Sequence, residues 1–111
     1  MSKKDTSILV AKASNLESLI DYQEDSVVSR TIVDRKAGTI TLFAFDESQG
    51  LSEHTAPYEV MVYVINGEVS VTISRKSISL KRGEMTIIPA NQPHSLTAKT
   101  KFKMLLTMIK G

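Results

Sequence analysis

The stretch VMVYVINGEVSVTISRKSISLKRGEMTII, residues 60–88, decides the fold class. Apolar and polar residues alternate along residues 68–80, broken by one turn, which is typical of strands with one face in a core and one in solvent. Residues 60–65 are apolar at every position, so this strand should be covered on both faces. Asn66-Gly67 between two such runs predicts a β-hairpin with a type I′ turn. The stretch therefore predicts consecutive short antiparallel strands.

The rest of the chain follows the same pattern after a different start. Residues 1–26 predict an N-terminal arm with a short helix or turn, in which Ser14 and Glu17 have the spacing of a capping box. Four further segments have the composition and length of strands: residues 27–33, 39–45, 94–98 and 101–109. Many short strands separated by turn residues predict an all-β sandwich or barrel, which we assign to one domain over residues 27–111.

Length and composition restrict the chemistry. A chain of 111 residues has room for one compact domain, and its 41% hydrophobic and 23% charged residues exclude wholesale disorder. The absence of cysteine excludes disulfides, thiolate zinc sites and cysteine nucleophiles. His54 and His94 are the only imidazoles, so any acid/base or metal chemistry of histidine depends on these two residues.

Charge and hydropathy indicate what the protein does not contact. The net charge is only +2, the basic residues are dispersed among predicted turns, and there is no Trp to stack on bases. No apolar run approaches the roughly 20 residues of a membrane span, and the start MSKKD lacks the apolar segment of a signal peptide. We therefore expect a cytoplasmic protein that binds neither nucleic acid nor membrane.

Two Pro-containing segments carry the histidines and resemble the two motifs of the cupin family. The first is GLSEHTAPYE, residues 50–59, running on to YVING, residues 63–67. The second consists of Gly83, Pro89, Pro93 and His94. The stretch from about residue 27 to residue 109 is similar to small single-domain cupins. The resemblance implies a cupin jelly-roll barrel of six or more strands, commonly a homodimer, with a pocket inside.

The resemblance also implies that half of the usual metal ligands are missing. With Gly67 as the reference, Ala56 stands at the position of the second His and Val60 at that of the Glu. Glu59 is one residue away, on the opposite face of a strand. Two ligands remain, His54 and His94. With water or the poorly ligating amides of Gln49, Asn91 or Gln92, they would hold a divalent Zn, Ni, Mn or Fe ion weakly.

The inward register of the family implies an apolar pocket behind the histidines. We expect six residues to line it: His54, Val60, Val62, Met85, His94 and Met104. Methionines also fill irregular core space, so Met85, Met104 and Met108 have this second interpretation. Four other residues are acid/base candidates or ordinary loop and interface residues: Glu53, Tyr58, Glu59 and Tyr63. The same register turns Met61, Tyr63 and Ile65 outward, which predicts that a second subunit covers them.

Three functions remain open from the sequence. The first is binding of a small, largely apolar molecule in the barrel, with the histidines as hydrogen-bonding groups. The second is a metal-assisted enzyme of the isomerase, cyclase or oxygenase type, with His54 and His94 as the catalytic candidates. The third is a structural or regulatory dimer without a ligand, which requires a barrel interior filled by Phe43, Phe45, Met85 and Met104. We place binding first.

Overall fold

The computed structural model describes residues 8–111. Within that range, a short 3₁₀ helix (Leu16–Leu19) precedes nine strands. The strands are β1 (Val27–Arg35), β2 (Gly38–Phe45), β3 (Gly50–His54), β4 (Glu59–Asn66), β5 (Glu68–Ile73), β6 (Lys76–Lys81), β7 (Met85–Ile88), β8 (His94–Ala98) and β9 (Phe102–Ile109). They form two antiparallel sheets, ordered β1-β2-β9-β4-β7 and β3-β8-β5-β6. The predicted all-β jelly-roll barrel is confirmed.

The core lies between the two sheets. Val60, Val62 and Val64 on β4 alternate inward and are at most 2% exposed, as the period of two requires. At one end of the interior, the rings of Phe45 and Phe102 stack with their centroids 4.5 Å apart. These large side chains fill that end of the barrel. The other end, where β4 begins, is therefore the place to look for a cavity.

The predicted hairpin at Asn66-Gly67 is wrong. β4 and β5 belong to different sheets, so this turn carries the chain from one sheet to the other. Of the two turn residues, only Gly67 has a positive φ, +81°, whereas a type I′ turn needs a positive φ at both. A Cβ on Gly67 would lie 2.8 Å from Cα of Phe102 and would collide with the carbonyl oxygen of Lys101. Gly67 is required because the segment leading into β9 passes directly against it.

The N-terminal arm has a different helix start from the predicted one. Asn15, rather than Ser14, caps the 3₁₀ helix: its side chain accepts a hydrogen bond from the Glu17 backbone N–H at 3.0 Å. The Glu17 carboxylate instead forms an exposed ion pair with Arg82 at 3.5 Å. No helix among residues 8–111 is long and apolar enough to cross a bilayer.

The arm covers part of the outer face of the five-stranded sheet. Ile20 is 5% exposed and belongs to a second apolar cluster with Leu42, Ala44 and Ile65. Tyr63 also packs against this cluster. The chain's own arm thus buries Ile65 and packs against the half-buried Tyr63. Contact of this face with a second subunit stays a prediction.

Polar contacts fasten the arm to the barrel. The Nζ atom of Lys103, a residue only 8% exposed, donates to the backbone carbonyl of Glu17 at 2.6 Å. The same Nζ lies 5.0 Å from the centroid of the Tyr22 ring, within cation–π range. The Tyr22 hydroxyl accepts a hydrogen bond from Asn66 at 3.3 Å. The arm is thus held by both apolar and charged contacts.

The crossing at Gly67 gives a stability prediction with a matched control. An alanine at positive φ costs about 1–2 kcal/mol, and overpacking a tight contact costs about 1–3 kcal/mol more. Gly67→Ala carries both costs. Gly83→Ala carries only the first: Gly83 has φ +85°, but apart from its chain neighbours no atom of residues 8–111 lies within 4 Å of the added Cβ. Urea denaturation should show the larger loss of unfolding free energy for Gly67→Ala, and equal losses would contradict the steric argument.

Candidate functional site

The two histidines meet at one end of the barrel. His54 ends β3 and His94 begins β8, and their Cα atoms are direct partners in the ladder between these strands. The ring centroids are 4.3 Å apart and the planes are inclined at 63°. His94 is only 4% exposed, whereas His54 is exposed. Two imidazoles forty residues apart in sequence thus form one pair, with His94 inside and His54 at the rim.

An irregularity in β3 brings His54 into this position. The register of β3 on β8 shifts between the pair Leu51–Leu96 and the pair His54–His94. In a regular strand, residues 51 and 54 would point to opposite faces. The extra residue of a bulge lets Leu51 pack against the core while His54 also turns toward His94. His54 is therefore the end of a bulged strand, although no strand was predicted over residues 50–54.

Each imidazole is held by the backbone in the same way. Nδ1 of His54 is 2.8 Å from the carbonyl oxygen of Ser52, and Nδ1 of His94 is 2.9 Å from that of Gln92. A carbonyl oxygen can only accept, so both Nδ1 atoms carry the hydrogen. This fixes the ring orientation and, in the neutral form, leaves a lone pair on each Nε2.

A pocket of about 270 Å³ adjoins the pair. It is lined by His54, Thr55, Ala56, Pro57, Tyr58, Val60, His94, Leu106 and Met108. No Asp, Glu, Lys or Arg is among the lining residues of this pocket. The walls are mainly carbon, with the imidazoles and two hydroxyls as the polar side-chain groups. A cavity of about 150 Å³ with apolar walls already suffices for benzene.

The structure brings together only part of the predicted lining. His54, Val60 and His94 line the pocket. Val62 and Met104 are fully buried in the core behind it. Met85 is 44% exposed, because β7 pairs it with Tyr63 on the outer face of the sheet. The prediction that Met85 lines the pocket is wrong.

Three lining residues escaped the sequence analysis: Thr55, Pro57 and Leu106. Leu106 lies midway between Met104 and Met108 on β9, and the period of two places all three on the inner face. That alternation was a usable signal for Leu106. Thr55 and Pro57 belong to the segment between β3 and β4, where no periodic pattern shows which side chains turn inward.

The donor set does not fit a three-ligand metal site. Ala56 and Val60, at the positions where the family resemblance places a His and a Glu, have side chains of carbon alone and supply no ligand atom from them. The exposed Glu59 is not among the lining residues. The Gln92 amide oxygen accepts a hydrogen bond from the Ser74 hydroxyl at 2.7 Å. In the part of the chain that the structure describes, no three His, Cys, Asp or Glu residues are grouped to hold an ion.

The surroundings of Tyr22, Asp46 and Glu68, which all lie outside the pocket, shift the pKa values of these three groups. Burial raises the pKa of the Tyr22 phenol in the arm. Hydrogen bonds from the backbone N–H groups of Asp25 and Glu47 lower the pKa of Asp46. A hydrogen bond from the Ser79 hydroxyl likewise lowers the pKa of Glu68. Each cause is a local structural contact, so these shifts do not mark a second candidate site.

Comparison with known proteins now identifies the family. Residues 41–110, more than half of the chain, match the family model Cupin_2, described as a cupin domain. The chain belongs to the cupin family. A search of curated proteins finds no match to this cupin.

Solved structures of other proteins share the fold over most of the chain. A conserved protein of unknown function from Streptococcus pyogenes is 33% identical, with a TM-score of 0.87 over 91% of this chain and 89% of that protein. A cupin superfamily protein from Desulfitobacterium hafniense is 26% identical, with a TM-score of 0.86 over 91% and 93%. A cupin 2 conserved barrel domain protein from Leptotrichia buccalis is 36% identical, with a TM-score of 0.84 over 87% of this chain and 47% of that protein.

Proposed function

We propose that this cupin binds a small, largely apolar molecule in the pocket beside His54 and His94. The observation that carries the proposal is a space of about 270 Å³ beside the two histidines, whose walls are mainly carbon. Its volume is close to the lower end of the usual range for small-molecule pockets, about 300–1,000 Å³. Such walls favour an apolar ligand, because burying a charge against them without a partner is costly.

The filling of the barrel interior supports binding over a purely structural role. Phe45, Phe102 and Met104 are fully buried, and the stacked phenylalanines occupy the end remote from the histidines. Met85, which a filled interior would need, is on the outer face. The interior is therefore packed at one end and open at the other.

A metal-assisted enzyme of the isomerase, cyclase or oxygenase type is the second candidate. The observation in its favour is the close approach of the two rings, whose Nε2 atoms have no hydrogen-bond partner among residues 8–111. Catalytic zinc sites commonly have three protein ligands. Two imidazoles alone bind a divalent ion weakly, and this places the enzyme second.

Ligand binding can be tested with toluene and a substitution that fills the pocket. NMR of the protein titrated with toluene should show saturable shifts at Val60 and Leu106. Ala56→Phe should weaken binding at least tenfold, because the new ring occupies the cavity that Ala56 lines. Ala13→Phe, at an exposed position in the arm, is the control and should bind as the parent does. Equal binding by both variants would place toluene elsewhere.

Metal analysis distinguishes the two candidate functions. Protein purified without chelator should contain well under one Zn, Ni, Mn or Fe ion per chain, because only two imidazoles are present to hold it. The measurement is elemental analysis by mass spectrometry, with His54→Ala as the comparison. Stoichiometric metal that disappears in His54→Ala would favour the enzyme over the binding protein.

We also propose that this cupin forms a homodimer through the part of the outer face that the arm leaves open. Ile40, Thr107, Met61 and Ile87 are successive cross-strand partners and form one row across β2, β9, β4 and β7. Ile87 is 46% exposed. The row carries no charge, so a second copy can lie against it without placing like charges opposite one another. An apolar row of this kind is a typical interaction surface.

The dimer prediction concerns Ile87. We expect the parent protein to have twice the chain mass in light scattering after gel filtration. Ile87→Glu should shift it to the monomer, because each carboxylate would be buried without a partner. Val10→Glu is the control, since Val10 is also exposed, at 61%, but lies in the arm. A monomeric parent protein would refute the proposal.

A further inference from the structure

The backbone contacts of the two histidines determine which kind of ligand they can bind. Both Nδ1 atoms donate to carbonyl oxygens two residues earlier in the chain, those of Ser52 and Gln92. A neutral imidazole with its hydrogen on Nδ1 has only a lone pair on Nε2. The free nitrogen of each ring is therefore an acceptor, and the backbone prevents the tautomer from reversing without the loss of a hydrogen bond.

Neither acceptor is satisfied within the part of the chain that is described. Nε2 of His54 and Nε2 of His94 have no hydrogen-bond partner among residues 8–111. Only 4% of the His94 surface is exposed, and the residue lines the pocket. No side-chain N or O atom of the described residues is buried without a partner, so Nε2 of His94 is open to water from the pocket. A ligand that displaces this water without donating to Nε2 would leave the atom unpaired, which is costly. The two Nε2 acceptors therefore favour a ligand that donates a hydrogen bond inside the pocket.

The remaining lining residues offer no positive charge to an anion. Thr55 and Tyr58 carry hydroxyls, which turn to donate or to accept as a ligand requires. Lys110 lies over the Tyr58 ring, with Nζ 5.8 Å from the centroid, but it is not among the lining residues. A carboxylate placed against the histidines would face two lone pairs. The imidazoles therefore decide the polarity of the ligand.

We propose that the ligand is a small neutral molecule with an apolar body and one O–H or N–H group, which donates its hydrogen to the His54–His94 pair. This inference rests on the proposed function, since it concerns the same pocket. It adds that a phenol-like or amine-like polar end is selected over a carboxylate or phosphate. The selection comes from the two backbone-fixed tautomers.

Three probes of similar shape test the polarity of the pocket: phenol donates a hydrogen bond, toluene has no polar group, and benzoate only accepts. Affinities are measured by NMR titration at about pH 8, where imidazole is ordinarily neutral. Phenol should bind at least as tightly as toluene, although phenol is the better hydrated of the two and loses more hydration on binding. Benzoate should bind at least tenfold more weakly than phenol. Benzoate binding as tightly as phenol, or toluene binding more tightly than phenol, would overturn the inference.

His94→Leu provides the second measurement. The variant should lose up to about tenfold in phenol affinity, the value of one neutral hydrogen bond, and should keep its toluene affinity. Equal losses for both probes would show that His94 contributes only shape. If the variant does not fold, the three affinities of the parent protein still decide. Binding of all three probes without discrimination refutes this inference alone, whereas binding of none refutes the proposed function with it.

Discussion

The pairing of β3 with β8 is the constraint on which the candidate site depends. It joins His54 to His94 across the ladder, and the two Nδ1 hydrogen bonds then fix both rings. The contact between the strands is close at Gly50, where a Cβ would collide with the carbonyl oxygen of Leu96. The bulge that follows lets Leu51 stay in the core while His54 reaches the pocket. A looser pairing would leave two unrelated surface imidazoles.

The two ends of the barrel have opposite packing, and this gives the site its character. Stacked phenylalanines close one end, so the space that remains is concentrated beside the histidines. There, Ala56 and Val60 place carbon where the family resemblance implies metal ligands. The loss of two donor side chains therefore has two consequences at once: it weakens cation binding, and it makes the walls suitable for an apolar molecule.

The sequence was sufficient for the fold and for the two histidines, and insufficient for features that depend on contacts between distant segments. Alternation along β5 and β6 predicted these two strands, because a period of two reflects burial on one face. Asn66-Gly67 misled the prediction, since the same dipeptide serves a hairpin or a crossing between sheets, and only the approach of Phe102 distinguishes them. The inward direction of Val60 was predictable from register. The outward direction of Met85 depends on its pairing with Tyr63, which no local pattern reveals.

The two candidate functions compete for the same atoms. A hydrogen-bond donor and a divalent cation both require the Nε2 lone pairs of His54 and His94, so the pair serves one of them at a time. A cation needs further ligands, and the lining side chains other than the imidazoles supply only two hydroxyls, a thioether and carbon. A neutral donor needs no further charged partner, and its apolar body gains from contact with Val60, Leu106 and Met108. The same walls that leave a cation without ligands would stabilise the proposed neutral molecule, so the binding proposal rests on the surroundings of the histidines rather than on the histidines themselves.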